Sequence, residues 1–337
     1  MDMQTLKTLA REKLFPVCRI CPVCDGVACR GEIPGLGGVG TGAAFQNNIR
    51  FLRDIKLNMR TVHNVTNPDM NTKILGINLT IPIIGAPIGG VAVNLNGMLS
   101  EVDYGIAIVN GCKQAGTIAM TGDGGQRDIY SSGLQAIMQA DGHGIPTAKP
   151  RDNEEILRMA EQAYATGAPA FAIDIDAAAL INMTRVNQAV SGKTLEQLKY
   201  LKQNIQLPLI IKGILHPDDA LACVEAGIDA IVVSNHGGRV LDSAVSSAEM
   251  LPAIKQAVGD KITILADGGI RSGTDVLKMI ALGADAVLVG RPLSFGACAA
   301  STGVEFMLNK FKTELQAAMI MTGCQDIQTI SSKIIFK

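Results

Sequence analysis

One unit recurs along most of this chain: a short β-branched run closed by Gly, Asp, Asn or Lys, then a helical stretch, then the next run. No other feature constrains the fold as tightly. Eight runs stand out, at Ile81–Ala86, Thr117–Thr121, Leu134–Met138, Ala170–Ile175, Leu209–Lys212, Ala230–Ser234, Thr263–Ala266 and Ala286–Val289. Helical patterns lie between them at Asn153–Thr166, Thr194–Asn204, Pro217–Ala226, Ala248–Val258 and Gly273–Leu282. The stretch from Pro217 has Pro in its first turn and Asp218 and Asp219 where a helix dipole favours anions. Gly227 and Gly283 stand where such helices stop. Runs that are apolar on both faces and alternate with helices predict a parallel sheet. Eight such units in 337 residues predict a closed (β/α)₈ TIM barrel rather than an open doubly wound sheet. Residues 1–75 precede it as an extension with a helix, a Cys cluster and a Gly-rich loop, expected against the bottom or side of a barrel spanning 76–337.

Composition removes several function classes. Hydrophobic residues make up 47% and charged residues 18%, which excludes a disordered chain. A net charge of −1 offers no field for nucleic acid or an anionic membrane. Met1–Phe15 carries Asp2, Lys7, Arg11, Glu12 and Lys13 and lacks the apolar centre of a signal peptide. The uncharged stretch Ile74–Ser100 is interrupted by Pro82, Pro87, Gly89 and Gly90, and reads as a strand and a loop rather than a membrane helix. The expectation is a soluble, cytoplasmic protein. The Gly-rich segment Gly35–Gly42 has no following Lys-Ser/Thr, so it is no P-loop, and no G-x-G-x-x-G follows the first run.

Polar residues collect at the ends of the runs, where a barrel of this kind places its chemistry. The fourth run leads into Asp174 and Asp176, the fifth ends in Lys212, and the sixth leads into Ser234-Asn-His-Gly-Gly-Arg239. The seventh leads into Asp267-Gly-Gly-Ile-Arg271 and the eighth into Gly290-Arg291. Any one of these has a bland reading as a solvated loop residue. Five ends at once bring a Lys, a His, arginines and carboxylates to one mouth, where each shifts the others' pKa values. Glycines that permit close backbone approach, with Arg271 and Arg291 beside them, predict a phosphate site after the last two strands. The anchored ligand is then a phosphorylated substrate or cofactor.

At these residues the chain resembles the FMN-dependent 2-hydroxy-acid oxidase and dehydrogenase family, the group of glycolate oxidase and lactate oxidase. The resemblance rests on Ser234-Asn-His-Gly-Gly-Arg-Val-Leu-Asp242, Leu265-Ala-Asp-Gly-Gly-Ile-Arg-Ser-Gly-Thr-Asp275, Val289-Gly-Arg-Pro292 and Pro208-Leu-Ile-Ile-Lys-Gly213. Asp69–Gly76, Pro82–Pro87 and Met319–Cys324 fit as well. It implies FMN as cofactor and a small-molecule 2-hydroxy acid as substrate, with lactate a plausible one. It implies that His236 is the base, that Asp176 orients it, that Arg239 pairs with the substrate carboxylate, and that Lys212 stabilises the reduced flavin. Ser234 would contact the flavin, and Pro87, Ile88 and Gly89 would line it by backbone. Asp267, Gly268, Gly269, Arg271, Gly290 and Arg291 would hold the ribityl and phosphate groups, and Gln135 the pyrimidine edge. It further implies a homo-oligomer, a tetramer or larger, and an electron acceptor that is either oxygen or another carrier.

The chain departs from this family around the substrate. It has no Trp, Gly124 and Gly125 fall where an aromatic is expected after the second run, and Ile137 stands near an expected Tyr. No Tyr occurs before Tyr104, Asp174 replaces a small hydroxyl residue, and the segment between the fourth and fifth runs is short. Cys18, Cys21, Cys24 and Cys29 crowd into twelve residues. That density suits a reduced Cys-rich loop, thiolates holding zinc or an iron–sulfur cluster, or redox-sensing thiols of the C-x-x-C kind. Two other functions compete. A flavin-dependent isomerase resembling type 2 isopentenyl diphosphate isomerase needs a second diphosphate site, and no further Arg/Lys cluster is present. A flavin or thiol redox sensor has no use for the complete His236, Asp176, Arg239 and Lys212 set.

Overall fold

Ten strands form in the computed structural model, which describes residues 1–336. β1 (Thr72–Ile74) and β2 (Ile77–Leu79) make an antiparallel hairpin. The other eight are β3 (Ile83–Gly85), β4 (Met120–Thr121), β5 (Ile145–Ala148), β6 (Phe171–Asp174), β7 (Leu209–Ile214), β8 (Ala230–Val233), β9 (Thr263–Ala266) and β10 (Ala286–Val289). They pair in parallel in the order β3-β10-β9-β8-β7-β6-β5-β4, and a parallel bridge from Gly85 to Ala119 closes the ring. The (β/α)₈ barrel expected from the repeat is therefore present.

The strands are apolar on both faces because both are covered. Inside, Ile84, Ile118, Met120, Ile145, Ile210, Val232, Leu265 and Leu288 form one cluster. Ile74 and Leu79 of the hairpin join it, so the hairpin stops the barrel at the N-terminal ends of its strands. Outside, Ile83, Phe171, Ile173, Ile211, Ile231, Val233 and Ile264 pack under the helices. Polar side chains are thus left the C-terminal ends of the strands.

Local signals set the helices as expected. Asn153–Ala165, Leu195–Asn204, Pro217–Glu225, Ser247–Val258 and Gly273–Ala281 match the predicted stretches to within a residue or so at each end. Asp152 caps the first of these by accepting from the Glu155 amide, and Thr194 and Ser272 each complete a capping box.

Three expectations are corrected. Leu134–Met138 is not the third strand but part of the helix Arg127–Gln139. Its buried residues, Ile129, Tyr130, Ser132, Gly133, Leu134, Ala136 and Ile137, recur at helical spacing, so the short apolar run is part of one face of a longer helix. The third barrel strand is β5, where Pro146 argues against a strand in sequence. The Gly-rich loop does not lie at the bottom or side of the barrel. It crosses the mouth, where the Val39 amide donates to the Gly238 carbonyl at 2.9 Å and Asp242 accepts from the Thr41 amide at 2.6 Å. A Cβ on Gly37 would stand 2.0 Å from the Cys29 carbonyl oxygen, and one on Gly40 would stand 2.4 Å from Oδ2 of Asp242, so these two positions leave room only for glycine. The extension holds two helices, Met3–Leu14 and Ala43–Asp54, where one was expected. Among the described residues no helix is long and apolar enough to cross a membrane.

Candidate active site

The ends of β6, β7 and β8 bring four predicted residues together. Asp174 closes β6, and the chain turns at once through Ile175 to Asp176. Lys212 lies in β7 just before a register shift. At that shift Gly213 has φ +100°, and a Cβ there would lie 2.4 Å from Cγ of Asp176. Only glycine leaves room for that carboxylate. After β8, Ser234 accepts a hydrogen bond from the His236 amide at 2.9 Å, and His236 adopts φ +56°, a strained conformation for a residue with a side chain. The strain aims the imidazole into the mouth. Its Nδ1 lies 2.9 Å from Oδ1 of Asp176 and 3.5 Å from Oδ1 of Asp174.

Charges are dense here. The Lys212 ammonium lies 2.9 Å from Asp174, 3.8 Å from Asp267 and 4.0 Å from Asp176. Burial works against its charge, but Asp174, Asp176 and Asp267 outweigh that and raise its pKa. Burial also opposes ionisation of Asp174, yet His236, Lys149 and Lys212 hold its carboxyl well below the usual range. Asp176 goes the other way: burial, with Asp174 adjacent, raises it against the pull of Lys212. Burial lowers the pKa of His236, and Lys212, Lys149 and Arg239 add to the effect against the opposing charge of Asp174. The imidazole is therefore neutral at rest. Donating Nδ1–H to a carboxylate would leave Nε2 as the free nitrogen.

Arg239 donates to the Gly35 carbonyl and, at 3.1 Å, to Oδ1 of Asn94. Burial lowers its pKa to about 10. Among the described residues it forms no ion pair with a carboxylate. A half-buried guanidinium without a counter-ion is a site for an anion.

At the other end of the same cavity, Gly268 and Gly269 have φ +96° and +84° and pack against Asn48. Arg291 lies 3.9 Å over the Phe45 ring and donates to the carbonyls of Leu36 and Gly237. Burial, with Arg271 and Arg239 nearby, lowers it to about 9. Neither Arg271 nor Arg291 pairs with a carboxylate among the described residues. Oδ1 of Asp267 is buried with no hydrogen-bond partner. Two uncompensated guanidiniums, close backbone approach and an orphaned carboxylate oxygen fit a ligand with a phosphate at one end and polyol hydroxyls behind it, as FMN has.

The structure gathers most of the predicted residues. Pro87, Ile88, Gly89, Lys212, His236, Arg239, Asp267, Gly268, Gly269, Arg271, Gly290 and Arg291 line one cavity. Asp176 and Ser234 stand behind His236 and hold it. Gln135 is a correction: it is exposed on the helix Arg127–Gln139, away from the mouth. Of the readings open for the cysteines, the structure gives no support to a zinc or iron–sulfur site. Cys18 packs on the core, while Cys24 is exposed with Sγ 3.4 Å from Arg271. Among the described residues no three of the four bring their sulfurs within reach of one shared ion. Among the described residues the one group of that kind is Asp174, Asp176 and His236, and the ammoniums of Lys212 and Lys149 already stand among those carboxylates.

Sequence reasoning missed Lys149. It directly follows the true third strand, as Lys212 follows β7's first apolar residues, and its ammonium is 2.5 Å from Asp174. It also missed the buried Arg151–Asp123 pair, and Asn48, whose amide exchanges hydrogen bonds with Asn235 at 2.8 and 3.0 Å. The run Ile145-Pro-Thr-Ala-Lys149 carried the signal for Lys149, masked by Pro146.

Comparison with known proteins agrees with this geometry. The family of FMN-dependent dehydrogenases matches the chain over residues 36–192 and 182–337. An L-lactate oxidase of Lacticaseibacillus rhamnosus is 32% identical, over 93% of this chain and 92% of its own. 2-Hydroxyacid oxidase 1 of Homo sapiens is 30% identical, over 86% of this chain and 88% of its own. The crystal structure of a mandelate oxidase with benzoyl-formic acid superposes with a TM-score of 0.78 at 29% identity, over 96% of this chain and 95% of that one. A barrel with this set of strand ends, matched along nearly its whole length, belongs to the FMN-dependent dehydrogenase family.

Proposed function

We propose that the protein oxidises a 2-hydroxy carboxylate to the 2-oxo acid, with FMN as its resident cofactor. The carrying observation is that His236, held by Asp176, faces the same cavity as Arg239, a guanidinium with no carboxylate partner among the described residues. Bound FMN would supply the electron sink for the two electrons that leave the substrate. Pro87, Ile88, Gly89 and Ser234 would hold its ring, and Asp267, Gly268, Gly269, Arg271, Gly290 and Arg291 its ribityl and phosphate groups.

Arg239 binds the substrate carboxylate through its planar fork and so places the hydroxyl-bearing carbon. Nε2 of His236 takes a proton from the substrate, and Asp174 and Asp176 stabilise the imidazolium that results. Lys212, its ammonium held among three carboxylates, would supply positive charge beside the bound ring and favour its reduced form. Asn94 steadies Arg239, and the Gly35–Gly42 loop, resting on Gly238, lies over part of the mouth.

No Phe, Tyr or Trp side chain lines the cavity among the described residues. That favours a small aliphatic side chain on the substrate, as in lactate, over an aryl group. The proposal extends to a cytoplasmic homo-oligomer, tetrameric or larger, whose reduced flavin passes electrons to oxygen or another acceptor. Anaerobic mixing of the FMN-loaded protein with lactate and glycolate tests the reading through the flavin absorbance.

A further inference from the structure

Three carboxylates, those of Asp174, Asp176 and Asp267, converge on the single ammonium of Lys212. With Lys212 as the sole counter-charge, a site that must take up an electron pair would carry a negative excess. Lys149 supplies a second ammonium. It lines the same cavity, is 6% exposed, and lies 2.5 Å from Oδ2 of Asp174, while Lys212 lies 2.9 Å from Oδ1. One carboxylate is thus shared by two lysines. The position of Lys149 is fixed: its amide donates to Oδ2 of Asp123 at 2.8 Å, and Asp123 is paired with Arg151. Asp174 is also faced by Lys212 at 2.9 Å and by Nδ1 of the neutral His236 imidazole at 3.5 Å.

We propose that Lys149 is a flavin-tuning residue: by neutralising Asp174 it leaves the charge of Lys212 free to favour the reduced ring. It acts through Asp174 and is a positioning residue. The inference rests on the reading that FMN occupies this cavity. Removing a buried unit charge several ångströms away shifts such an equilibrium by about tenfold or more, which is large enough to measure.

The probe is sulfite, which adds to oxidised flavin and leaves negative charge on the ring. Its affinity is read from the visible spectrum of the FMN-loaded protein, beside the midpoint potential. K149M is expected to weaken sulfite binding about tenfold or more and to lower the potential, with K149R near wild type. D174N alone is expected to tighten sulfite binding, which keeps the test decisive if K149M fails to hold FMN. The double variant K149M/D174N is expected to return toward wild type, which a merely structural role for Lys149 would not produce. Unchanged sulfite affinity in K149M, weaker binding in D174N, or a double variant as weak as K149M would overturn the inference. Any of these, in protein whose flavin is still bleached by a 2-hydroxy acid, rejects the role of Lys149 and leaves the proposed function standing. Wild-type protein that binds no FMN would overturn both.

Discussion

Nδ1 of His236 lies 2.9 Å from Oδ1 of Asp176, and that single contact joins the end of β6 to the loop after β8. The two residues are 60 positions apart, yet each is held by its own local device. Gly213 leaves the space for Asp176, and Ser234 supports the strained turn at His236.

His236→Ala is expected to keep FMN bound and to slow its reduction by substrate by roughly 10²–10⁴-fold, the usual worth of a positioned base. Asp176→Asn keeps the shape but removes the charge that stabilises the imidazolium, and loses rate in the same direction. Anaerobic stopped-flow absorbance checks both. Full-rate reduction in His236→Ala would remove the base from this account.

Gly213→Ala separates position from chemistry. The new Cβ falls on Asp176 at a φ that side chains rarely adopt. The expected result is a protein that binds FMN but reduces it slowly, with kcat falling more than KM rises.

Burial, with Lys212, Lys149 and Arg239 facing it, holds the pKa of His236 below its usual value of about 6.5. Asp174 opposes that shift without reversing it. The free base therefore persists to lower pH, and the acid limb of the flavin reduction rate is expected below about pH 6.5. The linkage has the same sign. Below the unfolded-state value the unfolded chain takes the proton first, so this group's contribution to stability is lost as pH falls. A rate profile from pH 4 to pH 8, at roughly constant ionic strength, reads the limb.

Arg239→Met is expected to raise KM for the 2-hydroxy acid, with kcat/KM falling roughly tenfold to a hundredfold, as for one charged hydrogen-bonded contact of ~1.5–3 kcal/mol. Arg239→Lys recovers only part of this, because a point charge does not reproduce a planar fork. Steady-state kinetics with lactate measures both.

Much of this was legible in the sequence because the barrel writes its chemistry at strand ends. Lys212, His236, Asp267 and Arg291 each follow an apolar β-branched run, and the structure brings all four to one cavity. What was not legible depends on packing across the chain. Leu134–Met138 is apolar enough for a strand and shows its helical period only over the longer window from Ile129. That one misreading put Gln135 in the site and hid Lys149. The mouth-covering loop could not be placed from sequence, because its partners Gly238, Asp242 and Arg291 lie some 200 residues or more away along the chain. The cysteine spacing admits a metal, and only the three-dimensional course of the loop, with Cys18 turned inward and Cys24 toward Arg271, separates the thiols.

The most direct test is the visible spectrum of the FMN-reconstituted protein, recorded without oxygen before and after adding lactate, glycolate and longer 2-hydroxy acids. The account predicts flavin bands that bleach fully with at least one of them, and no bleaching in His236→Ala on the same timescale. Protein that takes up no FMN, or bound flavin that none of these acids reduces, would contradict it.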